Sequence, residues 1–313
     1  MLLVPDRGVP VSAKQHNNDL GTLCDWVELS ALIVELELSR SDAIDVLLEQ
    51  YRYAEQDLAA ERIGSVWTEV RRRVRILGDA SPLSIDDLFL GRIRPWEEAP
   101  AYTFCLAASL APSYSGWVRQ FGHDYTEQGE LFERLTAAAV LQQMPDWQVR
   151  ITGWSRGHAV SLADVAPSLA EFLGAQTHPR FGDYARDQAH ESGLDLAAHR
   201  QFRDRRGARP VYLVQCASGA DWWSKLHTPE LAVWNKIIDF IHPPAKAFSM
   251  PFALEEGEFI KRGLQVNGLL LDRYRLLGLD RLETDWLDVD LAEDLQRWVG
   301  PRLEWLSATA APM

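Results

Sequence analysis

Over residues 20–77 the apolar positions recur at helical spacing. WVELSALIVELELS, SRSDAIDVLLEQYRYAEQDLAAE and IGSVWTEVRRRVRIL each read as a helix, the second opened by a Ser/Asp cap signal and the third following a glycine-marked break. GDASPLSIDDLFLGRIRPWEEAP, with Pro82, Pro95 and Pro100, predicts a loop-rich stretch leading into an apolar helix, AYTFCLAASLAP. Proline, serine and glycine in PSYSGWVRQFGHDY (112–125) interrupt the periodicity and predict a domain boundary. The expected organisation is an all-helical domain over residues 1–120 and a second domain over 121–313 with a C-terminal helical extension.

After residue 126 the rhythm becomes mixed. TEQGELFERLTAAAVLQQM predicts a helix, DWQVRITGW a strand and SLADVAPSLAEFLGA a helix containing Pro167. LDLAAHRQF and PVYLVQCAS alternate as strands around the charged segment RDRRGARP. HTPELAVWNKIIDFI has the spacing of an amphipathic helix, and KAFSMPF of a short strand. GLLLDRYRLLGLD fits strand or helix, and DLAEDLQRWVGPRLEWL predicts a terminal helix. The fold class is therefore mixed α+β or α/β.

Composition narrows the picture. With 313 residues, 47% apolar and 25% charged, the chain has material for one large or two ordinary cores. The opening residues carry no basic segment followed by an apolar run, and no stretch of 18 uninterrupted apolar residues occurs, which predicts a soluble, cytoplasmic chain with no membrane partner. Cys24, Cys105 and Cys216 are widely spaced and odd in number, against a disulfide framework or a cysteine-based metal site. A formal net charge of −13 repels phosphate at long range, so any nucleic-acid contact has to be local.

The order of elements after residue 126 and three polar residues carry the chemistry. Glu133 lies in the helix GELFERL, Asp195 follows Gly193-Leu194 at the start of one strand, and Gln215 lies in LVQCASG on the next. This arrangement resembles the PD-(D/E)XK nuclease superfamily over residues 126–250. That family has a restriction-endonuclease-like αβββαβ core, with a helix-borne Glu, an Asp on one strand and an E-x-K or Q-x-K on the following one.

The resemblance implies a divalent cation, Mg²⁺ or Mn²⁺, held by Asp195, Gln215 and the main-chain carbonyl of Cys216 with support from Glu133. It implies hydroxide attack on a DNA phosphodiester. It further implies a nuclease subunit of a bacterial antiphage or restriction system, acting with a partner protein of that system or as a homo-oligomer. A catalytically inactive nuclease fold used for binding or assembly is the alternative, and a purely scaffolding adaptor a further one.

The family's lysine position is occupied by Ala217, so Lys225 is the candidate amine and Lys236 the second, since a lysine side chain reaches on the order of 6 Å. Glu130 is an alternative to Glu133 on the same helical face, and Asp187 and Glu191 are outlying acids. Arg200, Arg203, Arg205 and Arg206, on the turn between the two strands, are candidates to grip phosphate beside the site. Trp222 and Trp223 offer stacking faces, though packing helix on sheet is the commoner use of such rings.

A competing pattern is Gly153-x-Ser155-x-Gly157, the nucleophile-elbow spacing of serine hydrolases. That fold needs several strands before the serine, and the preceding segment reads as helical. His227 and His242 are the only late histidines for a triad.

Overall fold

The computed structural model describes residues 1–11, 19–33, 37–152, 162–182 and 193–308. It divides into two compact units, one comprising Met1–Asp124, Pro251–Glu255 and Arg273–Met313, the other Tyr125–Met250 and Glu256–Asp272. The C-terminal extension expected with the second domain thus belongs to the first unit. Among the described residues no helix is long and apolar enough to cross a membrane.

The first unit contains α1 (Leu20–Ile33), α2 (Arg40–Glu49), α3 (Gln56–Leu77), α4 (Pro100–Leu110) and α5 (Ser115–Phe121), joined by α10 (Arg273–Leu277) and α11 (Val289–Ala308) from the end of the chain. Apolar on nearly every side, α4 packs against α1 and α11 and is buried almost throughout. The unit is not all-helical. β1 (Glu37–Ser39), β2 (Leu83–Ile85) and β3 (Phe89–Arg92) form an antiparallel sheet in the order β1-β3-β2. The segment expected to be loop folds this way because the Asp86 carboxylate accepts the amide N–H groups of Leu88 and Phe89, both at 2.7 Å, and closes the turn between β2 and β3. Strands of three or four residues are too short to show a period of two.

A buried ionic cluster lies inside this unit. Arg73 of α3 bonds Asp25 at 2.8 Å, Glu28 at 3.1 Å and Glu69 at 3.3 Å, while Arg273 meets both Asp25 oxygens at 3.1 Å. Tyr102 donates to Glu28 at 2.9 Å. Burial opposes ionisation of Asp25, yet the two guanidinium groups hold its carboxyl below the ordinary range.

The second unit is a mixed sheet of β4 (Trp147–Ile151), β6 (Leu196–Arg200), β7 (Val211–Cys216), β9 (Ala245–Ser249) and β10 (Leu269–Leu271), in the order β10-β9-β7-β6-β4. β4, β6 and β7 are antiparallel neighbours, whereas β9 runs parallel to β7 and β10 parallel to β9. Alternate strand residues face opposite sides. Ala197, Val211 and Leu213 pack with α7 (Leu162–Leu173), and Leu196, Val214 and Ala247 take Ala137 of α6 (Thr126–Gln143) on the other face.

The amphipathic helix expected over 227–241 is a single turn, α8 (Leu231–Trp234), followed by β8 (Ile238–Asp239), which pairs with β5 (Gln176–Thr177). Trp234, Ile237 and Ile238 stand at helical spacing and are all buried, but the main-chain oxygen of Ile237 accepts the His178 N–H at 2.9 Å in an extended connection. Consecutive β-branched residues favour that conformation. The ambiguous GLLLDRYRLLGLD splits into β10 and α10, and α9 (Glu256–Val266) precedes it without having been expected.

Candidate active site

Asp195 stands immediately before β6 and opposite Gln215, because the register pairs Leu196 with Val214. Its main chain is fixed on both sides. The Asp195 N–H donates to Val214 O at 3.0 Å, and its carbonyl accepts the Thr152 N–H at 2.9 Å. The backbone reaches this point through Gly193 at φ +53°, where a Cβ would lie 2.5 Å from Thr228 Cβ and 2.7 Å from Gln215 Oε1. Only glycine meets both demands.

The Asp195 carboxylate is aimed at the end of β7. Its Oδ2 accepts the main-chain N–H of Cys216 at 2.6 Å and a hydrogen bond from Gln215 Nε2. Gln215 Nε2 also donates to the Cys216 carbonyl at 3.0 Å, and Gln215 Oε1 accepts from the Thr228 hydroxyl at 2.9 Å. Burial pushes the Asp195 carboxyl up to about 6, against the pull of the Cys216 N–H, the Lys225 charge and the Gln215 amide. Thr228 was not singled out from the sequence; its only signal there is a polar residue before Pro229, within HTPEL.

Lys225 ends a 3₁₀ turn, Trp222–Lys225, and is exposed. Its charge acts on Asp195, and its carbonyl, 2.7 Å from the Thr228 hydroxyl, is the alternative acceptor for the one proton that also reaches the Gln215 amide oxygen. Lys236 lies beyond α8, exposed, with its N–H on Val233 O at 2.9 Å. Of the two lysines, Lys225 is the one whose field reaches Asp195. Position 217, the family's place for lysine, holds a buried alanine whose N–H donates to Ser249 O at 2.9 Å.

Glu133 is 5% exposed and reaches the end of β7 from α6. Burial raises the Cys216 thiol far above its ordinary range, and the Asp195 and Glu133 charges raise it further, which puts both carboxylates near that residue. A cavity of about 220 Å³ is lined by Glu130, Glu133, Arg134 and Ile151. On the same helix Gln128 donates to Ser218 O at 2.8 Å and Thr136 meets Ser249 at 2.9 Å, so α6 is pinned to the segments that end β7 and β9.

Among the described residues no three His, Cys, Asp or Glu side chains gather as metal ligands. The oxygens that do converge are of mixed kind. Asp195 Oδ2 and Cys216 O both lie within hydrogen-bond reach of one atom, Gln215 Nε2. A hard cation accepts such a set of one carboxylate, one main-chain carbonyl and one amide oxygen, completing its shell with water. The residues fit Mg²⁺ or Mn²⁺ on condition that the Gln215 amide turns its oxygen inward.

The arginines expected beside this site are elsewhere. Arg200 closes β6, and Arg203, Arg205 and Arg206 follow in the turn to β7, beyond the His199–Val211 pair. Asp195 and Cys216 occupy the opposite end of the same two strands. Trp222 is half-buried under the Arg262 guanidinium, 5.4 Å from its ring centroid, and Trp223 is 61% exposed. Gly153, Ser155 and Gly157, with Asp187 and Glu191, lie outside the described residues; His227 and His242 are exposed. No protein-family model, curated protein or solved structure matches this chain.

Proposed function

We propose that this chain is a metal-dependent nuclease of the PD-(D/E)XK kind, hydrolysing DNA phosphodiesters. One observation carries the reading: the Asp195 carboxylate and the Cys216 carbonyl converge on the Gln215 amide where two antiparallel strands end, with Lys225 close enough to act on that carboxylate. The frame supports it. A helix, three antiparallel strands and a parallel fourth strand beside the third follow the order of the αβββαβ core, with α7 inserted after the first strand.

In this reading Asp195, Cys216 O and Gln215 Oε1 hold Mg²⁺ or Mn²⁺, which when bound polarises the phosphate and acidifies water. Glu133 stands near the same place from α6, where it takes a proton or orients water. Lys225 supplies positive charge for the phosphate oxygen that becomes more negative in the transition state. The burial that raises the Asp195 carboxyl also strengthens its hold on a cation. As in the resemblance, the place of action is a bacterial antiphage system, with a partner protein bringing DNA to an acidic chain.

A second reading has its own observation. The Gln215 amide nitrogen already satisfies the two would-be ligands, and Ala217 replaces the lysine, as in a nuclease fold kept only for binding. Degradation of plasmid by the purified chain in Mg²⁺ or Mn²⁺, beside Asp195→Ala and Lys225→Ala, separates the two. Cleavage lost in Asp195→Ala and reduced on the order of a hundredfold in Lys225→Ala is the nuclease outcome. Metal-dependent DNA binding without cleavage is the outcome for the binding fold.

A further inference from the structure

The β6–β7 turn is the opposite of the chain around it in charge. Five arginines and one aspartate fall between positions 200 and 209 of a protein whose net charge is −13. Their duties differ. Arg200 pairs with Asp146 at 3.2 Å, and Arg209 is spent on structure, donating to Arg206 O at 3.0 Å and to Phe172 O and Arg205 O at 3.3 Å each. The turn is thereby set firmly on the end of α7, where Gly174 gives the Arg209 guanidinium its room.

What this fixed frame presents outward is cationic. The Arg203 and Arg205 guanidinium groups are exposed and have no side-chain partner among the described residues, while Arg206, 85% exposed, meets Asp204 at only 3.8 Å. Phe202, 47% exposed, adds an apolar ring beside them. Planar guanidinium groups on a rigid turn match phosphate oxygens, and an open ring face suits sugar or base.

Resting on the nuclease reading, we infer that this turn is a second, separate anchor for the DNA backbone, about one half-turn of duplex away from the reacting phosphate. From Asp195 to Arg200 the strand advances five residues at roughly 3.4 Å each, or roughly 17 Å, and Arg203 and Arg205 stand past that end. Duplex DNA rises about 3.4 Å per base pair, so a duplex lying along the strand would meet the anchor about five or more base pairs from the site. This explains how an acidic chain holds a polyanion: the grip is local, on a small island of positive charge.

The test is fluorescence anisotropy with the full chain in EDTA and duplexes from about 6 to about 24 base pairs, comparing wild type with Arg203→Glu/Arg205→Glu. Wild-type affinity should step upward once the duplex extends about five base pairs past the site, and the variant should lose that step. For the longest duplex the variant should bind at least about tenfold more weakly, with the slope of log affinity against log salt smaller by about two. Arg203→Lys/Arg205→Lys should restore the slope, and an unchanged melting temperature shows that the variants fold.

Equal affinity and equal salt slope in the charge-reversed variant, with wild-type cleavage intact, would overturn the anchor and leave the nuclease standing. Wild type that neither binds nor cleaves DNA overturns both. Capture by phosphatidylserine vesicles in place of DNA, lost on charge reversal, would assign the turn to a membrane surface and overturn the inference.

Discussion

Gln215 Nε2 donates both to Asp195 and, at 3.0 Å, to the main-chain oxygen of Cys216, so an amide nitrogen occupies the point on which these two oxygens converge. The Thr228 hydroxyl can serve either orientation of that amide. Its hydroxyl lies 2.7 Å from Lys225 O and 2.9 Å from Gln215 Oε1, and one proton serves one of them at a time. With the proton on Lys225 O, the Thr228 oxygen would be free to accept from a turned Gln215 amide, whose oxygen would then face Asp195 and require a cation between them.

Gln215→Glu removes the amide donor and adds a ligand charge. Mn²⁺ should then bind about tenfold more tightly, equivalent to roughly 1.4 kcal/mol, read by titration calorimetry or electron paramagnetic resonance. In EDTA the same variant should melt at lower temperature than wild type, because two buried carboxylates face one another without the amide N–H that now lies between them. Unchanged Mn²⁺ affinity would show that Gln215 holds no place in the cation site.

Placing a lysine at position 217, where the PD-(D/E)XK pattern has one, should fail. Ala217 is 2% exposed, with its N–H committed to Ser249. A lysine there has to push its stem into packed surroundings or bury an ammonium, so Ala217→Lys should cost more than about 2 kcal/mol in chemical denaturation. It should also leave cleavage no faster. A stable Ala217→Lys that cuts DNA faster than wild type would show that Lys225 is not the amine of this site.

The parts of this molecule that were legible in the sequence are those with a period. Helices α3 and α11 bury one face at helical spacing and the run Val211–Cys216 is largely buried, whereas α4 was legible as an uninterrupted apolar stretch. Trp234, Ile237 and Ile238 misled because a turn followed by an extended segment buries the same three side chains as a helix would. Pairing of Asp195 with Gln215 follows from register, which alternation implies, whereas the orientation of the Gln215 amide depends on Thr228, thirteen residues away along an irregular path. The placement of the arginines was a matter of direction. A residue on the turn between two strands is near both in sequence, yet it stands at the wrong end for a site at Asp195.

Glu283 provides a pH-dependent term in the first unit. Its carboxylate accepts the N–H groups of Ala101 and Tyr102 at 2.6 and 2.8 Å, at the start of α4, and burial pushes it up to about 7 despite those bonds. A carboxyl raised in the folded state favours folding most below its unfolded pKa, near 4.5, and that contribution is lost as pH rises through about 7. The difference corresponds to about 3 kcal/mol. Glu283→Gln keeps one acceptor and turns an amide N–H toward the other main-chain donor, so it should be less stable than wild type at pH 4, by a margin that shrinks toward pH 8 as the wild-type carboxyl ionises. Glu283→Ala leaves two buried N–H groups unpaired and should be destabilised by about 2 to 4 kcal/mol at pH 4. Denaturant melts across pH 4 to about 8 check both, and a Glu283→Gln difference that does not change with pH would show that this carboxyl does not titrate in the window.

The returning C-terminal segment is held to the first unit by charge as well as by apolar packing. Arg273 is fully buried, donates to Pro251 O at 2.9 Å, and shares Asp25 with Arg73 of α3. Buried pairs of this kind contribute little compared with a well-packed apolar replacement, but removing one partner strands the other charge. Arg273→Met should cost about 3 to 5 kcal/mol, because Asp25 keeps one guanidinium and loses two hydrogen bonds. Asp25→Leu alone should be comparably damaging, since it leaves two arginines facing one another with only Glu28 and Glu69 between them. The double variant should lose at least about 2 kcal/mol less than the sum, the coupling expected of groups in direct contact. Strict additivity in denaturant melts would mean that Arg273 and Asp25 act independently, and that the segment from Arg273 onward is retained by the apolar contacts of α10 and α11 alone.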